Sequence, residues 1–436
     1  MSNPQRDLPA VHEAWLPREH VLHRPRHGGR QLVALISALV FFAAPSLMWL
    51  FGARPGEIEN HELAGFPGIT SGWAFFTDLP TWATDQLVFR AGAIEAADAI
   101  SRTFFGEPAP LDQGGTGDAG PLPGDAPPTS STESPSQPGT TEAEQGYRRV
   151  IEGKNGWLYY GYDVDGKCSP NRPFAETLGK VDELRRAVED SGRRFVFVVV
   201  PDKATMVPQN LPDDYAGKDC AIPASREFWR LVGQRTTALD LRGRLTQAER
   251  FIGKPIYYSN DSHWTDEGSV VLTREIAEAI KPGVSETWQS QGGGWGIGMA
   301  DLARLLGRTE DKFTITYSLR PDGVTDRTRT QLNSLDSPAH FTAEPIEATV
   351  NEPTLIFGDS FTAASSSYLP AGFSDLTILG YPSMGDNMAT TIEAFVDSEV
   401  VVVQAIERSV AGGNLPFTDQ GFIDQVRQAM AARPVR

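Results

Sequence analysis

The sequence is poor in cysteine, in histidine and in positive charge. Two cysteines, Cys168 and Cys220, occur in 436 residues. They form no Cys-x-x-Cys pair, which argues against a structural zinc site, and neither a metal nor a cofactor is expected. Seven histidines leave few choices of general base. Lys and Arg number 39 against 56 Asp and Glu, a net charge of −17. That balance argues against a nucleic-acid binder, which needs clustered cations, but it tolerates a local basic groove for an anionic polysaccharide. What is present is ordinary for a globular protein: 40% hydrophobic and 22% charged residues, enough for one large domain or two smaller ones.

The first fifty residues point to the compartment. Residues 32–51 read LVALISALVFFAAPSLMWLF, without a charge. At 1.5 Å per residue such a helix is roughly 30 Å long, the thickness of a bilayer core. Pro45 is tolerated in a membrane helix, and Trp49 stands where an interfacial aromatic belongs. Arg18, Arg24, Arg26 and Arg30 precede the span, whereas Arg54 is soon followed by Glu57, Glu59 and Glu62. This bias predicts a single-pass anchor with residues 1–31 cytoplasmic and the rest extracytoplasmic, periplasmic or at the cell surface. The rival is a cleaved signal peptide, against which the long polar lead and the lack of a small-x-small site count. Outside the cytoplasm, Cys168 and Cys220 read as a disulfide; otherwise they are two unrelated thiols.

Residues 52–106 read as a juxtamembrane segment of helical character. Residues 107–146, dense in Pro, Gly, Ser and Thr, cannot bury enough apolar surface to offset chain entropy and read as a disordered linker. From 147 to 436 strand and helix patterns alternate, which predicts an α/β domain with a parallel sheet covered by helices on both faces. A hairpin is expected over 150–160 with Asn155-Gly156 at its turn. Residues 195–200 (FVFVVV) predict a doubly buried strand, and 256–258, 354–357, 376–379 and 400–405 predict further strands. Residues 289–298 read as a Gly-rich loop, and 313–347 as polar with an inserted hairpin.

Two motifs carry chemistry. Gly358-Asp359-Ser360-Phe361 follows a predicted strand and opens a helix, the place where ligands bind in open α/β sheets. Gly358 would let the backbone turn, and the helix N-terminus would favour an oxyanion. Asp261-Ser262-His263-Trp264 supplies the rest. A serine hydroxyl needs a base, which His263 can be near neutral pH, and Asp261 can accept the other imidazole N–H. Each motif alone is common; both ending predicted strands allow them to meet at one sheet edge. His61 and His340 are the rival bases, in less suitable surroundings.

GDSF after DSHW resembles the SGNH-hydrolase-like domain of the alginate O-acetyltransferase family, the AlgJ/AlgX type. ENHELAGFP at 59–67, Asp85 with Phe89-Arg90, GKNGWLYYG at 153–161, VVPDKATMVPQNLP at 199–212, DLA at 301–303 and VVVQAIERS at 401–409 match in order. His61 stands where that family usually has Arg, and Thr265 where it usually has Asn. The resemblance implies a permuted SGNH fold with Ser360 as nucleophile, His263 as base and Asp261 as orienter. The region of the usual oxyanion-hole Asn reads Gln404 to Ser409 with none, so Gly358, Arg408, Asn387 and Trp264 are the oxyanion or substrate-binding candidates. Arg408 either faces the site or pairs with Glu407. Trp157, Trp264 and Trp295 are candidate sugar-stacking aromatics, against core packing. The resemblance further implies O-acetyl transfer to a polysaccharide acceptor, with acetyl delivered by a membrane-bound O-acyltransferase partner. The alternatives are a glycan O-acetyl esterase and a non-catalytic envelope scaffold.

Overall fold

The computed structural model describes residues 29–51 and 149–435, except Ser383 and Asp386, and a few isolated positions between 15 and 82. The linker at 107–146, His61 and the Asp85, Phe89 and Arg90 block lie outside the described residues. Helix α1 (Gly29–Leu50) and the α/β body belong to separate compact units. Side chains of α1 are described at 32–40, 43, 44, 47 and 48, and those at 32–40 are exposed. Among the described residues no helix is long and apolar enough to cross a membrane.

The body opens with the expected hairpin, β1 (Val150–Glu152) against β2 (Leu158–Tyr160), antiparallel. Its turn uses Asn155 and Gly156 at φ 55° and 75°, the left-handed conformation these residues tolerate best. Next come α2 (Tyr162–Cys168), α3 (Phe174–Glu189), β3 (Arg194–Val200) and the one-turn α4 (Lys203–Met206). Helices α5 (Lys218–Arg235) and α6 (Arg242–Ile252) flank β4 (Leu239–Asp240). Helix α7 (Asp266–Ile280) then leads to β5 (Gln289–Met299), the short α8 (Asp301–Leu305) and β6 (Asp311–Arg320). The C-terminal part runs β7 (Ala339–Thr342), β8 (Thr354–Gly358), α9 (Ser360–Ser365), β9 (Asp375–Gly380), α10 (Met388–Asp397), β10 (Val400–Ile406), α11 (Glu407–Gly412) and α12 (Gln420–Ala432).

Six strands form the main sheet in the order β4-β3-β10-β8-β9-β7. All neighbours pair in parallel except β7, which runs antiparallel to β9. The sheet is therefore mixed rather than wholly parallel, with a single antiparallel edge strand as its departure. Both faces are covered. Val401, Val403 and Ala405 of β10 join one apolar cluster with Leu355 and Phe357, and Val400, Val402 and Ile406 join the other with Ile356. The unbroken valine run is thus explained: successive side chains enter opposite layers, and neither layer meets water.

Two further sequence expectations change. Residues 256–258 are not a sheet strand; Tyr257 makes only an isolated antiparallel bridge to Trp264. The Gly-rich stretch at 289–298 is not a loop but β5, paired with β6. Its glycines answer to close approach: a Cβ at Gly294 would lie 2.0 Å from Thr316 Oγ1, and one at Gly296 would lie 2.4 Å from Thr314 Cγ2. Alternate Gly reads as loop from local pattern, because the side chains that fill that face come from Thr316, Thr314 and Lys312 of the partner strand.

Candidate active site

Strand β8 ends at Gly358, and α9 begins at Ser360. Asp359 between them caps the helix through Oδ1, which accepts from Phe361 N at 2.9 Å. Its Oδ2 accepts from Ile406 N at 2.8 Å and from the Tyr381 hydroxyl at 3.0 Å, tying the serine turn to the end of β10. Gly358 is needed for closeness rather than for a turn: a Cβ there would lie 2.0 Å from Thr362 Oγ1 and 2.8 Å from Gln404 Oε1.

His263 arrives from a loop held by the Tyr257–Trp264 bridge. Its Nε2 lies 2.9 Å from Ser360 Oγ, and its Nδ1 lies 2.9 Å from Asp261 Oδ1. In the neutral imidazole the nearby carboxylate keeps the proton on Nδ1, which leaves Nε2 to accept from the serine hydroxyl. Asp261 Oδ1 also accepts from the His263 backbone N at 2.9 Å. On its other oxygen, Lys312 Nζ donates at 2.7 Å and Asp301 N at 3.1 Å. Asp261 is 1% exposed, so without these donors its charge would be prohibitive. Burial pushes its carboxyl up, but Lys312 and His263 outweigh burial and hold it well below the usual carboxylate range. Asp301 adds a second carboxylate, with Oδ2 3.4 Å from His263 Nδ1. It also takes the Ser262 hydroxyl and, at 2.7 Å, the Ser262 N–H. Burial pushes His263 down, yet Asp261 and Asp301 together raise it to about 9. Asp261, His263 and Asp301 bring their ligand atoms within 4.8 Å, as a metal set would. The Lys312 ammonium supplies the positive charge at that place.

Lys312 and Asp301 were not singled out as functional from sequence, although Asp301 opens the DLA block. Lys312 comes from β6, and Asp301 opens α8, the short helix between β5 and β6. For Lys312 the signal was a lysine at a strand position beside alternating Thr.

The other sequence candidates fall elsewhere. Arg408 is 1% exposed. Its Nη1 lies 3.5 Å from Asp163 and 3.6 Å from Asp202, while Lys167 pairs with Asp202 at 2.6 Å and Glu407 at 3.1 Å. That buried network joins the ends of β3 and β10 to α2. Asn387 donates its amide to Asp336 O at 3.0 Å. Trp264 is buried edge-on against Phe361, ring centres 5.0 Å apart, and is a core residue. Trp157 is half-buried beside Tyr159, and Trp295 is 81% exposed on the outer face of the ribbon. His340 pairs with Asp375 at 2.8 Å on the edge strand, away from the serine turn. Cys168 and Cys220 form a disulfide, Cα atoms 5.7 Å apart.

With this geometry in hand, comparison with known proteins is decisive for the family. The model of the SGNH hydrolase-like domain of the acetyltransferase AlgX matches residues 150–405. The chain belongs to this AlgX-type family. The match covers the hairpin, both motifs and β10. A probable alginate O-acetylase AlgJ of Pseudomonas fluorescens is 26% identical over 139 residues, 31% of this chain and 34% of that protein. The chain thus spans about a third of the length of the curated relatives it matches. Among solved structures, the O-acetyltransferase domain of Pseudomonas putida AlgJ is similar over 64% of this chain and 98% of its own, at 18% identity and a TM-score of 0.44. Pseudomonas aeruginosa AlgX is similar over 65% and 66%, at 15% identity and a TM-score of 0.41.

Proposed function

We propose that this AlgX-type domain transfers an acetyl group to a polysaccharide hydroxyl through an acyl-serine on Ser360. The observation that carries the reading is the aligned pair of 2.9 Å contacts, Ser360 Oγ to His263 Nε2 and His263 Nδ1 to Asp261 Oδ1. In the first half-reaction Ser360 Oγ attacks the acetyl carbonyl of a donor ester while its proton passes to His263 Nε2. The tetrahedral intermediate collapses, the donor oxygen leaves with that proton, and acetyl-serine remains. In the second half, a sugar hydroxyl gives its proton to His263 and attacks the acetyl carbon; Ser360 departs and recovers the proton. Asp261 stabilises the imidazolium in both halves without itself being protonated.

The uncharged run at 32–51 and the arginines before it support a single-pass anchor, with the catalytic domain on the far side of the membrane. The Cys168–Cys220 disulfide agrees with an oxidising compartment. An anchored acceptor domain is suited to receive acetyl from a membrane-bound O-acyltransferase. The names of the AlgJ relatives make alginate the first acceptor to try. Incubation of the full chain with an aryl acetate, with and without oligouronate, tests the assignment. Acetylated oligosaccharide is the expected product. Release of acetate at a rate no glycan alters would instead make the protein an esterase.

A further inference from the structure

Two sequence blocks, GKNGWLYYG and VVPDKATMVPQNLP, meet around one buried cation. Lys203 of the second block is 1% exposed. Its Nζ lies 5.1 Å from the ring centre of Trp157 and 5.2 Å from that of Tyr159, both of the first block. The two rings stack with centres 6.4 Å apart. From this aromatic box, Nζ donates to Ser259 O at 2.9 Å and to Asp261 O at 3.0 Å. Leu158 N, between the two aromatics, donates to the same Ser259 carbonyl at 2.7 Å. The box is itself pinned. The Tyr159 hydroxyl donates to Val207 O at 2.6 Å, and a Cβ at Gly153 would lie 2.2 Å from Asn210 O.

A buried ammonium is expensive, and an apolar side chain of similar volume would fill the box at lower cost. Burial pushes Lys203 down to about 7, against the pull of Asp261, Asp301 and Asp163. What an apolar residue could not do is hold the carbonyls of 259 and 261, which flank the backbone leading into the Asp261–His263 turn. We propose that Lys203 is a positioning residue: from the Trp157–Tyr159 box it fixes the loop that aims the Asp261 carboxylate at His263. It acts through Asp261 and has no contact with substrate. This rests on the acyl-serine reading of the site.

The test uses the full chain and an aryl acetate. Lys203→Met keeps the packing and removes the two donors. It should lower kcat about 10- to 100-fold while KM stays within about two-fold, because orientation rather than binding is lost. The downfield imidazole N–H resonance of His263, which reports its bond to Asp261, should move or broaden. Lys203→Arg, which restores the donors, should recover most of kcat and the resonance. Lys203→Met with wild-type kcat, or with reduced kcat and an unaltered resonance, overturns the proposal. If the Met variant does not fold, the Arg variant decides: a kept resonance with kcat near wild type supports the role, and a kept resonance with kcat lost overturns it. Ser360→Ala separates the two failures. If it hydrolyses the ester as fast as wild type, the reaction itself is misassigned; if it is inactive while Lys203→Met is unaffected, only the positioning role fails.

Discussion

Asp301→Asn should make the protein faster at neutral pH. Near His263 lie Asp261 at 2.9 Å, Asp301 at 3.4 Å, the Ser262 hydroxyl at 3.4 Å and the Phe361 ring at 4.7 Å, with Lys312 behind Asp261 and Lys203 behind the loop. Burial pushes His263 down, and the two carboxylates bring it up to about 9 from 6.5. A base held there is mostly imidazolium at pH 7 and cannot take the serine proton. Asparagine keeps the Asp301 N–H to Asp261 Oδ2 and an oxygen for Ser262 N, so the geometry persists while one negative charge goes. Losing one of the two carboxylates should lower the His263 pKa from about 9 toward its ordinary value, with burial now opposed by Asp261 alone. The acid limb of kcat/KM for aryl acetate hydrolysis, followed from about pH 6 to about pH 10, should move down by about one pH unit. At pH 7 the variant should then be up to about ten-fold faster, with a similar or slightly lower plateau. A limb that stays put, or moves to higher pH, would refute the claim that Asp301 helps to hold the imidazole protonated.

The same electrostatics bear on stability. His263 is raised in the folded state, so its contribution is fully present below about pH 6.5 and lost as pH rises through about 9, worth up to about 3 kcal/mol. Lys203, held down to about 7, gains stability over the same range, so the loss is read as the difference between wild type and His263→Gln in denaturant unfolding at the two ends of that window; a difference that does not shrink as pH rises would contradict it. Replacing Cys168 and Cys220 with Ser opens a loop with a sequence separation of 52 and should cost about 4 kcal/mol in thermal or denaturant unfolding. Gly358→Ala forces a Cβ to within 2.0 Å of Thr362 Oγ1 and 2.8 Å of Gln404 Oε1, so it should destabilise by about 1–3 kcal/mol in the same assay.

Much of the fold was legible because burial on both faces leaves a plain trace. The valine runs of β3 and β10 and the Asn155-Gly156 turn read correctly from local pattern. The β5–β6 ribbon did not, because its alternating glycines are set by the approach of Thr314 and Thr316, residues distant in sequence. At the site, Ser360, His263 and Asp261 could be picked because each belongs to a short motif. Lys312 and Asp301 act on Asp261 from 51 and 40 residues away, and nothing in their local pattern ties them to it. Arg408 was open between two roles, and the acids that take it, Asp163 and Asp202, lie far from it in the chain.

The most direct measurement of the central claim is the mass of the full chain after brief exposure to an aryl acetate, with the modified peptide sequenced. The account predicts one added acetyl group, on Ser360, formed far more slowly in His263→Ala and discharged by an oligosaccharide acceptor. An acetyl group on another residue, or ester turnover that survives Ser360→Ala, would contradict it.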